Sequence, residues 1–233
     1  MPLLCLPFAG GGNRSFESWR QLLPESVQLQ TVRLPGRETR LAEPPPAGLV
    51  GLATDLASEI GPFLTGRFAV FGHSMGALLA FEFVRALRQG FGVQPSCLVV
   101  SGTRAPQRQD EAFRYANLTD AQLRTELERM GGTDAEVLRD ADLWELMSSI
   151  LRADLAACDA YRYQPGEPLG CPLVAYGSRD DSDLDEDSLA AWQQQTTGPF
   201  DHRMFPGGHF YFQQWPEAFA MDLVKRLTRY VLD

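Results

Sequence analysis

The chain has 233 residues, 44% of them hydrophobic, and a formal net charge of −9. That length fits one α/β domain with a sizeable core. The negative charge argues against nucleic acid, whose binders carry a basic face, and against adhesion to anionic membranes.

No uninterrupted apolar run approaches the roughly 18 residues of a membrane span, so none is predicted. The N-terminus has no basic stretch followed by a long apolar one, so no secretory signal is predicted. Cys5, Cys97, Cys158 and Cys171 form no C-x-x-C pair and lie mostly in or beside apolar runs. Buried free thiols in a reducing cytoplasm are the expectation.

In chain order, Leu3 to Leu6 reads as a strand ended by Pro7, followed by the turn Ala9-Gly10-Gly11-Gly12. Ser15 to Leu23 reads as a short helix, Val27 to Leu34 as a strand, and Pro44-Pro45-Pro46 as a stiff loop. A helix is predicted over Leu49 to Leu64, a buried strand over Phe68 to Phe71, a helix over Met75 to Arg88 and a strand over Cys97 to Val100. Apolar runs alternating with amphipathic stretches are the pattern of βαβ units, hence of a mostly parallel sheet flanked by helices. From Thr103 to Tyr163 the alternation breaks into helices at Asp120 to Met130, Ala135 to Asp140 and Leu143 to Tyr161. This stretch is expected to be a helical lid, residues 103–163, inserted into a core formed by 1–102 and 164–233. The sheet resumes at Leu173 to Tyr176, with a helix around Leu189 to Gln195, a last strand at Arg203 to Phe205 and a last helix from Ala218 to Val231.

The sharpest local signal is Gly72-His73-Ser74-Met75-Gly76, a G-x-S-x-G sequence between a buried strand and a helix. So tight a turn strains the serine backbone and requires small residues two positions before and after it. It presents the hydroxyl at a helix N-terminus, where free N–H groups and the helix dipole favour a developing anion. Ser74 is the candidate nucleophile, and His73 is read as packing within the turn. A serine needs a base within reach. The chain has three histidines, and His209, in the loop Pro206-Gly207-Gly208-His209-Phe210 after the last strand, is the candidate. His202 is read as a surface or packing residue. The acid that orients the imidazole should follow the strand at Leu173 to Tyr176. Asp180 and Asp181 compete: counting from Gly177 selects Asp180, and counting from the strand start selects Asp181. Asp183, Asp185, Glu186 and Asp187 read as a solvated loop that caps the next helix. The oxyanion hole should take one amide from Met75 and one from the glycine turn, at Ala9 or Phe8.

These motifs, with Leu6-Pro7-Phe8-Ala9-Gly10-Gly11 and Leu34-Pro35-Gly36-Arg37-Glu38, stand in the order and spacing of the type II thioesterases of polyketide and nonribosomal peptide synthesis. The chain resembles that family, of the α/β-hydrolase superfamily, over nearly its full length. The family pattern near the acid is similar to aromatic-Gly-Gly-Arg-Asp-Asp-Pro with the second aspartate catalytic. That favours Asp181, although Ser178 and Ser182 here replace the glycine and the proline. The resemblance implies hydrolysis of an acyl group from the phosphopantetheine arm of a carrier protein, with no metal or bound cofactor, by a cytoplasmic enzyme expected to be a monomer. Leu123, Leu127, Met130, Leu143, Leu146, Met147, Ile150 and Leu151 are candidates to line the acyl pocket or to pack the lid. Arg33, Arg37 and Arg40 are a candidate basic patch for an acidic carrier, with a structural ion pair from Arg37 to Glu38 or another acid as the alternative. A carboxylesterase or lipase, an acyltransferase and a non-catalytic scaffold are the rival readings.

Overall fold

Six short strands assemble into one sheet. The computed structural model describes residues 1–45, 47–111, 114–115, 117–133 and 135–231, with residues 110, 111, 135 and 231 described by their backbone. Pro46 of the proline loop, and Ala112, Phe113, Ala116 and Asp134 of the expected lid, lie outside the described residues. The strands are β1 (Pro2–Leu6), β2 (Gln28–Thr31), β3 (Ala69–His73), β4 (Cys97–Ser101), β5 (Leu173–Ser178) and β6 (Phe200–Phe205), and every pairing is parallel in the order β2-β1-β3-β4-β5-β6. The helices are α1 (Leu49–Ile60), α2 (Met75–Phe91), α3 (Asp120–Met130), α4 (Ala135–Arg139), α5 (Ala141–Ala160), α6 (Glu186–Ala190), α7 (Tyr211–Gln214) and α8 (Pro216–Val231).

In the inner strands β1, β3, β4 and β5 the side chains alternate between two covered faces, which is why those runs read as continuously apolar. Leu4, Leu6, Val70, Leu98, Val100 and Ala175 pack with α1 and α2. Leu3, Cys5, Phe71, Val99, Val174 and Tyr176 pack with a 3₁₀ segment, Asn13–Gln21, and with α8. This second face is aromatic. Trp19 meets Phe71 at 5.0 Å and Phe212 at 5.6 Å, both edge-on, a geometry that adds about 0.5–1.5 kcal/mol per pair beyond burial.

Three of the elements that differ from the sequence reading do so for local reasons. The strand expected over Val27 to Leu34 pairs only from Gln28 to Thr31, because the chain leaves the sheet edge after one further bond from Val32 N–H to the Cys5 carbonyl. The helix expected over Ser15 to Leu23 is 3₁₀, kinked at Phe16, where φ is −124°. The helix expected to reach Leu64 is α-helical only to Ile60 and continues as a 3₁₀ turn through Pro62, which has no N–H to donate.

The strand order places the site. The chain steps outward from β1 to β2, then returns across β1 to β3. The loops leaving β1 and β3 therefore diverge, and a crevice opens between their C-terminal ends, the usual ligand position in such sheets. Helices α3 to α5, between β4 and β5, stand over it. Their own small core holds Leu123, Leu127, Leu138, Trp144, Leu151 and Leu155. Among the described residues, no helix is long and apolar enough to cross a membrane.

Candidate active site

Ser74 sits between β3 and α2 with φ 57° and ψ −120°, one of two described non-glycine residues at positive φ. The surroundings over-determine this conformation, as a persistent strained residue requires. The Ser74 amide donates to the Ser101 carbonyl at 2.7 Å. A Cβ on Gly72 would lie 1.9 Å from the Gly76 carbonyl oxygen, and one on Gly76 would lie 2.1 Å from the Leu6 carbonyl oxygen. Both contacts are with backbone that cannot swing aside. Gly76→Ala is therefore expected to exceed ordinary overpacking, which costs roughly 1–3 kcal/mol. It should lower Tm by at least about 6 °C or prevent folding; an unchanged melting curve would contradict so close a turn.

His73 packs inside the turn as expected. It is fully buried, its Nδ1 lies 2.9 Å from Ser101 Oγ, and that oxygen lies 2.5 Å from the Tyr211 hydroxyl. Burial, followed by the neighbouring His209 imidazole, holds His73 well below the ordinary histidine range, so it stays neutral. The His209 ring lies 4.9 Å from the His73 ring. His202 lies on β6, 3.5 Å from Glu186 and stacked on Phe200, away from this cluster.

The two candidate acids separate clearly. Asp181 Oδ2 is 2.7 Å from His209 Nδ1, with the carboxyl side chain 2% and the imidazole 9% exposed. The other Asp181 oxygen accepts the Asp183 amide at 3.1 Å. Asp180 instead accepts the Gly207 amide at 2.8 Å and so holds the loop that carries His209. The acidic run that follows is only partly the solvated loop expected. Asp185 caps α6 through the Ser188 amide. Asp183 reaches the helical segment, accepting from the Tyr115 hydroxyl at 2.5 Å and from Arg129 at 2.9 Å. Burial alone would raise its carboxyl, but these donors hold it below the usual range.

The glycine turn lies beside the serine. Gly11 N–H donates to the Phe8 carbonyl at 2.8 Å and Gly10 has φ +75°, closing a turn over Phe8 to Gly11. Gly10 N–H donates to Asp154 Oδ2 at 2.8 Å and Gly12 N–H to Ser15 Oγ at 3.0 Å. The Ala9 amide has no acceptor among the described residues. Met75 opens α2, where helix amides have no partner within the helix.

Ser74, Met75, Ala9 and His209 all face one cavity of about 1030 Å³. No hydrogen bond joins Ser74 to His209 among the described residues; such contacts commonly close only when substrate is bound. Of the residues expected to line an acyl pocket, Leu127, Met130, Met147 and Leu151 do so. Leu123 is buried within the helical segment, Leu143 and Leu146 are 48% and 60% exposed, and Ile150 does not reach the cavity. Leu123 thus takes the alternative role of packing the lid, and only Leu143, Leu146 and Ile150 depart from the expected pocket lining: the sequence shows apolar positions but not which side of each helix faces inward.

Of the three arginines of the candidate basic patch, Arg37 takes the alternative role, a structural ion pair. Arg40 forks onto Glu43 and Glu59, Arg33 donates to Thr39, and Arg37 is buried against Asp154 at 2.7 Å, the other acid rather than Glu38. Asp154 was not anticipated, although a signal existed. It shares a helical face with the buried Leu151 and Leu155, where a carboxylate demands partners.

A strained hydroxyl, an imidazole held by a buried carboxylate and two amides beside an apolar cavity suit acyl transfer through a covalent intermediate. The profile of the thioesterase domain family matches residues 1–227. Gramicidin S biosynthesis protein GrsT of Aneurinibacillus migulanus is 40% identical over 212 residues, 91% of this chain and 83% of that protein. Among solved structures, RedJ, the thioesterase from the prodiginine biosynthetic pathway in Streptomyces coelicolor, is 36% identical with TM-score 0.89, covering 96% of this chain and 84% of its own. The type II thioesterase BorB from the borrelidin biosynthetic cluster is 34% identical with TM-score 0.88, covering 97% and 92%. The resemblance carried by the motifs is thus met across almost the whole chain, which has the α/β-hydrolase fold and belongs to the thioesterase family.

Proposed function

We propose that this thioesterase is a type II enzyme that hydrolyses acyl groups from the phosphopantetheine arm of carrier domains, for editing or release in polyketide or nonribosomal peptide synthesis. The observation that carries the reading is the shared cavity: the Ser74 hydroxyl and the Asp181-held His209 open onto one apolar chamber beside the glycine turn. The family membership and the names of the relatives support the substrate class.

Ser74 Oγ attacks the thioester carbonyl as His209 Nε2 takes its proton, and Asp181 stabilises the imidazolium. The Met75 and Ala9 amides bind the oxyanion. Collapse breaks the C–S bond, and His209 returns the proton to the pantetheine sulfur. His209 then deprotonates water for attack on the acyl-serine, which releases the free acid and restores the hydroxyl. The scheme requires no metal or cofactor on the protein. Residues 103–163 act as the lid that shapes the acyl chamber. Every proposed site residue comes from one chain, so a monomer suffices. The four described cysteines are unbridged, in keeping with a reducing cytoplasm.

The test compares acyl-carrier thioesters with oxygen esters of equal chain length. A preference for the thioester of at least about tenfold, or ~1.4 kcal/mol, is expected, with free acid as product. Preference for simple oxygen esters would indicate an esterase or lipase, and a transferred or cyclised acyl group an acyltransferase. Absence of both turnover and fluorophosphonate labelling would indicate a scaffold.

A further inference from the structure

We propose that Asp154, backed by Arg37, is the positioning residue of the oxyanion hole: from helix α5 it fixes the peptide planes of the glycine turn that presents the Ala9 amide. The inference rests on the proposed role of that turn and deepens it.

The observations are geometric. The Asp154 side chain is 0% exposed and that of Arg37 5%. Both Asp154 oxygens are engaged, Oδ2 by Gly10 N–H at 2.8 Å and Oδ1 by Arg37 Nη2 at 2.7 Å. Arg37 Nη1 then donates to the Gly11 carbonyl at 2.8 Å. In a trans peptide the N–H and C=O point opposite ways, so each bond fixes a whole plane. The Gly11 N–H fixes the Phe8–Ala9 peptide through the Phe8 carbonyl, and this directs Ala9 N–H away from the turn interior. Asp154 fixes the Ala9–Gly10 peptide, and Arg37 fixes Gly11–Gly12.

The middle peptide is the one that matters. A turn closed from Phe8 to Gly11 with φ +75° at Gly10 has the type II form. Types I and II differ by a flip of that central peptide, and glycine at the third position permits either. A carboxylate placed to accept Gly10 N–H selects type II. Leu151, one turn earlier on the same face of α5, packs on the turn as well, since a Cβ on Gly10 would lie 3.3 Å from its Cδ1. A buried ion pair is poorly explained as a stability device, because apolar replacements of similar volume often serve as well. A pair that sets the form of the turn, and through it the place of the Ala9 amide, accounts for its position here.

The test uses the full chain with Asp154→Ala and Asp154→Asn. Asp154→Ala should lower kcat about 10–10²-fold, at or below the range for deleting one oxyanion donor, with KM within about twofold of wild type. Affinity for an acyl trifluoromethyl ketone, which forms a tetrahedral adduct on the serine, should fall by the same factor. Affinity for an acyl-pantetheine thioether, a ground-state mimic, should not change. Asp154→Asn keeps an oxygen for Gly10 N–H and should recover most of the loss, which keeps the proposal testable if the alanine variant fails to fold. Equal loss of both affinities, unchanged kcat, or an asparagine variant as impaired as alanine would overturn the positioning role. Failure of wild type to hydrolyse carrier thioesters would instead sink the proposed function, and the two affinities would still be readable.

Discussion

Ser74→Ala is expected to abolish thioester turnover, by about 10³-fold or more, and to eliminate labelling by a fluorophosphonate. The expectation follows from the elbow. The hydroxyl stands on a residue at φ 57° that faces the cavity, with the α2 N-terminus beneath it. Two glycines whose Cβ positions are filled by backbone permit that turn. The Cys158 thiol also faces the cavity, but burial pushes its pKa far above the ordinary range, so thiolate is scarce. The strain gives a second readout. Holding a non-glycine residue in such a region costs on the order of 1–3 kcal/mol, and glycine relieves it. Ser74→Gly should therefore lose activity with a Tm no lower than wild type. Retained labelling in either variant would remove the serine from the mechanism.

The second large effect separates two adjacent aspartates. Asp181→Asn is expected to lower kcat by about 10³–10⁴-fold, because an amide at 2.7 Å from Nδ1 favours the wrong imidazole tautomer and cannot stabilise the imidazolium. Asp180→Asn should cost less than about tenfold, since its amide oxygen can still accept the Gly207 N–H, a bond of roughly 1 kcal/mol. Steady-state rates of the purified variants, with circular dichroism to establish folding, decide the matter. A larger loss at Asp180 would transfer the orienting role to it.

The Asp183 bonds to Tyr115 and Arg129 extend this arrangement. The amide of Asp183 supports the Asp181 carboxylate while its side chain is held by the helical segment. The position of that segment and the setting of the acid are thus mechanically joined through one residue.

The sequence by itself determined the parallel sheet, the turn at Ser74 and the glycine loop carrying His209. Each of these is enforced by neighbours a few residues away: strand alternation, small residues at fixed offsets, proline ending a strand. The position of the cavity was not among them, because it depends on the sheet order β2-β1-β3, which decides where the loops diverge. What only the tertiary structure decided were partnerships across long stretches of chain. Asp181 meets His209 over 28 residues and Arg37 meets Asp154 over 117. One residue of register in a loop exchanges Asp180 for Asp181, and no local rule sets that register. The helical segment behaved the same way. Its apolar positions were legible, yet rotation about each helix axis, set by packing on neighbouring helices, chose Met147 and Leu151 for the cavity and left Leu143 and Leu146 exposed. Chain-local sterics and hydrophobic period can be read from residue order, whereas the pairing of buried charges depends on which surfaces meet once the chain has closed on itself.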